Sequence, residues 1–381
     1  MSGASRSAAS NAGPSVVGRP GARPVGALGR LLPLFALVVP ALTVGATLAV
    51  AGDTLGYDFR AYHAAAARVL AGQALYDASA AVAGPSGLFL YPPPFVLLVL
   101  PFGLLPVGPA TAIWTALILA AFALGTALLP VSRTVRWLVL LLAGLSWPFV
   151  YATKLGQVGA VLYLLFVLGW RWIDRPVALG ASGAVGAIVK VQPGVVLLWA
   201  LLARRWAALG AGVLVLAASA LVATAVLGVG VWADFLTLLG RVNDPITTPH
   251  NFTLGAVAYQ AGLPRDAAAA LQWASTAGAL AILVVAAIRL PAVPGYLVAL
   301  VASQLLSPIL WDHYALLLLV PTAWLLDRGR WWAVLIPLAT SVVLVGWIPA
   351  VVYPASFWVS LVAIVAVGHA EGRASALQPS G

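Results

Sequence analysis

The sequence predicts an all-α polytopic membrane protein, and three observations carry that prediction. Only 8% of the 381 residues are charged while 62% are hydrophobic, whereas a water-soluble fold carries about 25% charged residues. Mean hydropathy is +1.03. Apolar runs such as Leu31–Ala51, Ala207–Val229 and Ala267–Ile288 are each long enough to cross a bilayer, which takes about 20 residues per helix. At that length the apolar part of the chain makes about ten to twelve spans.

The net charge of +10 does not indicate nucleic acid. The basic residues come in ones and twos at the ends of apolar runs, not as a patch with interleaved aromatics. That spacing is the signature of the positive-inside rule. With no cysteine in the chain, disulfides, thiolate metal sites and a Cys nucleophile are excluded. No HExxH, Walker or dinucleotide-binding glycine pattern is present, so the sequence calls for no metal and no cofactor.

From the N-terminus, residues 1–30 are rich in Ser, Gly, Ala, Pro and Arg, a composition expected to be disordered. Arg19, Arg23 and Arg30 precede the first apolar run and place this segment in the cytoplasm. Ala49-Val50-Ala51 imitates a signal-peptide cleavage site, but the apolar run before it is too long for a signal peptide and reads as a retained anchor. A single transmembrane domain is expected over residues 31–369, with a cytoplasmic tail at 370–381.

Residues 52–94 form the longest non-spanning stretch, on the outer side if the first helix crosses. Within it Phe59, Tyr62, His63, Ala66, Val69 and Leu70 recur at helical spacing and Gly72 supplies a stop. Such a helix, weakly apolar on one face, is expected along the membrane surface. Arg133/Arg136, Arg171/Arg175, Arg204/Arg205, Arg289, Arg328/Arg330 and Arg373 then suit cytoplasmic turns. By this assignment 14 of the 20 Lys and Arg, but 3 of the 10 acids, lie inside. Two stretches break the in–out parity. Residues 94–105 are short for a crossing and read as a re-entrant element; residues 177–203 are interrupted midway at Lys190-Val191-Gln192-Pro193. Both are tolerable only if packed in protein or lining a cavity.

Ionisable residues are expensive in a membrane, so the few that gather at the outer side are the functional candidates. Asp58 opens the surface helix; a helix-terminal acid is also a common capping device. Lys154 and Gln157 fall between two spans. Lys190 stands in an otherwise uncharged run and needs a cavity, an anion or a paired acid. His250-Asn251 follows a polar loop, the plain alternative being a capped turn. Asp312-His313, between Trp311 and Tyr314, exceeds what an aromatic belt requires. A carboxylate, two cations and histidines on one face suit transfer from a phosphate-bearing donor: a base for a hydroxyl and cations for a departing phosphate. Nucleotides are scarce on that side, which points to a lipid-linked phosphosugar.

Asp58-Phe59-Arg60-Ala61-Tyr62, then Gly72, Leu75-Tyr76 and Tyr91-Pro92-Pro93, resemble the opening of glycosyltransferase family 87. Gly156-Gln157, Lys190 with Pro193, His250-Asn251, and Ser307-Pro308 with Trp311-Asp312-His313 follow in the same order. The resemblance spans about residues 30–330. It implies a GT-C fold and an inverting mannosyl transfer from a polyprenyl-phosphate donor to a lipid or lipoglycan hydroxyl at the outer face of a bacterial plasma membrane, often forming an alpha-1,2 linkage and best known from actinobacteria. Asp58 would be the general base. Lys190, His313, Lys154 and Arg60 are the candidates for the donor phosphate; Gln157, His250, Asn251, Tyr62 and Asp312 complete the expected substrate-binding set. Where the family often has a His pair, this chain keeps His313 alone. A different polyprenyl-linked sugar such as arabinofuranose is the alternative within the class. A transporter or a non-catalytic envelope scaffold is the alternative outside it, and the absence of a clear internal repeat weakens the transporter.

Overall fold

A computed structural model describes residues 27–76, 88–241 and 244–376. The expectation for residues 1–26 lies outside the described residues. Helices α1 (Ala27–Ala51) and α2 (Tyr57–Leu70) are followed by α3 (Pro93–Val99), a 3-10 turn over Leu100–Leu104, and α4 (Val107–Leu128). Next come α5 (Arg133–Leu145), α6 (Trp147–Leu155), α7 (Gly159–Arg171), α8 (Pro176–Val189), α9 (Val195–Leu202), α10 (Trp206–Leu227) and α11 (Val231–Arg241). The chain ends with α12 (Leu254–Gln260), α13 (Arg265–Arg289), α14 (Ala292–Leu305), α15 (Leu319–Asp327), α16 (Leu335–Leu338) and α17 (Val352–Ala376). No strand occurs among the described residues. The all-helical membrane architecture is therefore as the sequence predicts, and α17 continues past the boundary expected at residue 369.

The apolar chain is divided between long and short helices. Five described helices are long and apolar enough to cross a membrane, in Arg30–Thr54, Val107–Leu128, Trp206–Leu227, Arg265–Arg289 and Val352–Arg373; α6 and α7 make a sixth if a bent pair counts as one span. The remaining apolar stretches form shorter helices, including α8, α14 and Pro93–Leu104. Hydropathy counts apolar residues but does not register the turns that interrupt them.

Each interruption has a local cause. α6 ends in a Schellman motif: the Gly156 amide donates to Thr153 O, the Gln157 amide to Ala152 O, and Gly156 takes the left-handed φ of +68° the motif requires. The chain then turns by 119° into α7. Between α8 and α9, Lys190 is extended (φ −156°, ψ 138°) and Pro193 lies in a 3-10 turn, where it cannot continue the helix hydrogen bonds.

α2 ends at Gly72, as its sequence predicts. Its apolar face is turned into the protein: Phe59, Tyr62 and Ala66 are fully buried because the helix packs on α3, α4, α6 and the Leu100–Leu104 turn. Phe59 stacks on Trp114 at 5.3 Å, and His63 Nε2 lies 2.8 Å from Leu105 O. α3 packs beneath α2 with Phe95, Val96 and Val99 buried, the protein environment a re-entrant element needs.

The arginine-bearing turns are bonded to one another at one end. Arg171 donates to Leu128 O, Arg205 to Ile173 O, and Arg328 to Glu371. Ser132 N donates to Asp327. The interruptions at Gly156 and Lys190 lie at the other ends of α7 and α8, about 20 Å away at 1.5 Å per residue.

Candidate active site

Four interrupted elements meet at that other end: the first turn of α2, the α6–α7 bend, the α8–α9 break, and the 3-10 turn Asp312–Leu318. α2 is fastened there by its preceding glycine. The Gly56 amide donates to Lys154 O at 2.8 Å, and Trp114 Nε1 donates to Gly156 O at 2.7 Å. A methyl group on Gly156 would sit 2.9 Å from Phe59 Cβ, so only glycine lets the bend approach α2 this closely.

Asp58 is the second residue of α2. The helix N-cap is Gly56, with no side-chain cap, so the Asp58 carboxylate is not spent on capping. Its Oδ2 accepts from Gln157 Nε2. The orientation of that amide follows from its other end. The hydroxyls of Tyr62 and Tyr91 share a hydrogen bond of 2.6 Å, which uses one of their two protons. The other has Gln157 Oε1 in reach, at 3.3 Å from Tyr91 and 3.5 Å from Tyr62. With its oxygen facing the tyrosines, Gln157 presents its NH2 group to Asp58.

Burial pushes the Asp58 carboxyl above its ordinary range; His313, the Gln157 hydrogen bond and Lys190 act in the opposite direction. Asp58 is half-buried, shielded but not sealed. The Lys190 ammonium lies 4.0 Å from the Tyr314 ring centroid and 5.8 Å from that of Tyr91, two cation–π contacts with no carboxylate hydrogen bond. His313 is buried, at 4% exposure. Its Nδ1 is 3.5 Å from Asp312 Oδ1, beyond a good hydrogen bond, and neither ring nitrogen has a hydrogen-bond partner. Asp312 accepts from Trp147 Nε1 at 3.0 Å and from the His313 amide at 2.8 Å. Gln192 donates to Ser307 at 2.9 Å and keeps a buried, unpartnered Oε1. Unsatisfied buried polar atoms of this kind are costly unless a ligand answers them.

The expected residues divide into two groups. Asp58, Gln157, Tyr62, Lys190, His313 and Asp312 come together. Lys154 is adjacent, its ammonium 6.0 Å over the Tyr151 ring. Arg60 is two positions from Asp58 on one helix, so the two side chains point to different faces; its Nε is buried without a partner. His250 is exposed, at φ 57°. Asn251 is engaged within the protein. Its Nδ2 donates to Pro245 O and Pro308 O, and its Oδ1 accepts from Thr253 N and Leu310 N. All four amide positions are used within the protein. Asn251 latches the 245–253 loop to the chain leading into Asp312.

Sequence reasoning missed the contributions of Tyr91, Trp147, Gln192 and Tyr314. Tyr91 was visible only as part of a stiff Tyr-Pro-Pro entry, and Trp147 carries no signal because it sits in an apolar run. No three His, Asp or Glu residues gather as metal ligands among the described residues.

The family model of glycosyltransferase family 87 matches residues 89–310. This chain belongs to that family. The match supports a membrane glycosyltransferase, using a sugar donor and an acceptor. It covers the α6–α7 bend, the Lys190 break and the Asn251 latch, but begins after α2. The case for Asp58 therefore rests on where α2 is packed. No curated protein and no solved structure matches the chain.

Proposed function

We propose that this glycosyltransferase moves mannose from polyprenyl-phosphate mannose to a hydroxyl of a lipid or lipoglycan, with inversion, in a GT-C fold. The observation that carries the reading is the convergence of one supported carboxylate with a lysine and a histidine from three separate interruptions of a membrane fold. Asp58, oriented by Gln157, removes the proton of the acceptor hydroxyl as that oxygen attacks the anomeric carbon. The bond from that carbon to the phosphate oxygen breaks, and polyprenyl phosphate leaves with the electron pair. Lys190 and His313 offset the charge that develops on it. Attack opposite the leaving group converts a beta-linked donor into an alpha product, an alpha-1,2 linkage in this reading.

Asp312 holds His313 through the backbone amide, and Trp147 holds Asp312. Lys154 stands at the edge of the cluster, placed to meet the donor or the headgroups around it. The arginine-bearing end faces the cytoplasm, with both chain termini there, and the site faces the outer side of the plasma membrane. A lipid-phosphate donor suits that placement because its tail stays in the bilayer while the sugar enters between the helix breaks.

The test is donor choice by purified protein. Labelled polyprenyl-phosphate mannose, polyprenyl-phosphate arabinofuranose and a nucleotide-linked mannose are offered with a panel of lipid acceptors. Transfer from the first alone is expected; transfer from the nucleotide sugar would contradict the reading.

A further inference from the structure

A second feature lies at the arginine-bearing end, away from the chemistry. α13 and α17 both pack on α14 and approach each other where Gly278 faces Trp358. Toward their C-terminal ends they enclose a cavity of about 850 Å3, which also reaches the turn into α14. Its walls are mainly apolar, with Ile282, Val285 and Val365 among them. At one end Gly368 and Gly372 of α17 lie against Pro294 and Pro291; a methyl group on Gly368 would come within 2.6 Å of Pro294.

Three cationic or ionisable side chains line the same cavity: Arg289 from α13, and His369 and Arg373 from α17. All three are exposed. None has a hydrogen-bond or ion-pair partner among the described residues. Glu371, on the same turn of α17, is held by Arg328 at 2.6 Å.

The combination is specific in its chemistry. Two guanidinium groups beside one cavity suit a phosphate, which accepts paired N–H bonds from arginine. The apolar walls on two membrane-length helices suit an acyl chain. A soluble anion would meet the charges and leave those walls uncovered; a neutral lipid would do the reverse. We infer that the α13–α17 cavity is a binding site for one anionic phospholipid, phosphate between Arg289 and Arg373 and chain against Ile282, Val285 and Val365. α14 separates this cavity from Ser307 by about 20 Å, so the lipid held here is neither donor nor acceptor of the reaction.

The test is native mass spectrometry of the full chain in detergent, titrated with phosphatidylglycerol and, separately, with phosphatidylcholine. One phosphatidylglycerol should be retained at least tenfold more tightly than phosphatidylcholine. Arg289→Gln/Arg373→Gln should reduce that retention at least tenfold, and Ala281→Phe, at an exposed wall position, should weaken it by filling the cavity. Arg175→Gln/Arg330→Gln, which removes two exposed arginines outside the cavity, should leave it unchanged. Equal retention by wild type and the Arg289/Arg373 variant, or an equal loss in the Arg175/Arg330 variant, overturns the site in favour of general headgroup attraction. Displacement by millimolar inorganic phosphate with no effect of Ala281→Phe also overturns it, in favour of a free-anion site. If the double arginine variant fails to fold, Ala281→Phe alone decides.

Discussion

Gln157 donates a hydrogen bond to Asp58 across 99 residues of sequence, and the Tyr62–Tyr91 pair fixes the direction of that donation from behind. The carboxylate thereby gains an orientation that α2 alone does not provide, since the N-cap of that helix is Gly56, which has no side chain to offer.

Gln157→Ala should remove that orientation and leave the fold in place. A general base contributes roughly 10²–10⁴-fold, and losing its support rather than the base itself is expected to lower kcat by about 10-fold or more. Donor KM should change little. Because the Gln157 bond lowers the Asp58 pKa, its loss should move the acid limb of the pH profile to higher pH. A kcat loss with an unmoved acid limb would contradict the assigned contact.

The pH dependence of the wild type has a sign of its own. Burial raises the Asp58 pKa, so the base form is lost, as pH falls, earlier than for an ordinary carboxylate near 3.9. Activity should therefore begin to fall clearly above that value. A profile flat down to pH 4 would contradict a buried carboxylate base.

Lys190 separates function from stability. No carboxylate bonds to it, so Lys190→Gln should leave the unfolding temperature unchanged or raise it, since an uncompensated charge is removed. Transfer should nevertheless fall by roughly two orders of magnitude, the scale of one lost electrostatic contact to a developing oxyanion. Matched losses of stability and activity would mean that Lys190 acts as a structural residue.

Asn251→Ala should show the opposite pattern. It strands partners on both joined segments, and each unsatisfied buried group costs about 1–3 kcal/mol. A drop in thermal stability, with kcat per folded molecule reduced only as the Asp312 approach loosens, is expected from parallel unfolding and kinetic measurements. Unchanged stability would contradict the latch.

Two glycines with the same backbone conformation make a paired test. Gly72 (φ +71°) has open space around it, whereas Gly156 (φ +68°) faces Phe59. Gly72→Ala should cost only the left-handed strain of about 1–2 kcal/mol. Gly156→Ala should cost measurably more and also depress transfer, because it pushes the bend off α2. Equal effects would mean that the close approach carries no weight.

Much of this was legible in the sequence. The helix α2 and its Gly72 stop follow from 3.6-residue periodicity, and the Lys190 break follows from a charge and a proline inside an apolar run. The α6–α7 bend was not legible as a bend, because Gly156-Gln157 between apolar runs also describes a plain turn between spans. Its 119° turn depends on a glycine conformation and on contacts with α2. For Asn251 the sequence left a capped turn beside a binding role, and its four partners within the protein are what make it a latch. Trp147 and Tyr91 entered the site through tertiary pairing, which leaves no mark on local pattern. The division into long and short helices left no mark for the same reason: composition fixes how much chain is apolar, while glycine and proline at a few positions fix how it is divided.

The most direct test of the account is transfer by Asp58→Asn, measured with labelled polyprenyl-phosphate mannose beside an unfolding curve. Asn is nearly isosteric but cannot take a proton. The account predicts a normally folded protein whose transfer falls by two or more orders of magnitude. Transfer within a few-fold of wild type, in an equally stable protein, would move the chemistry away from Asp58.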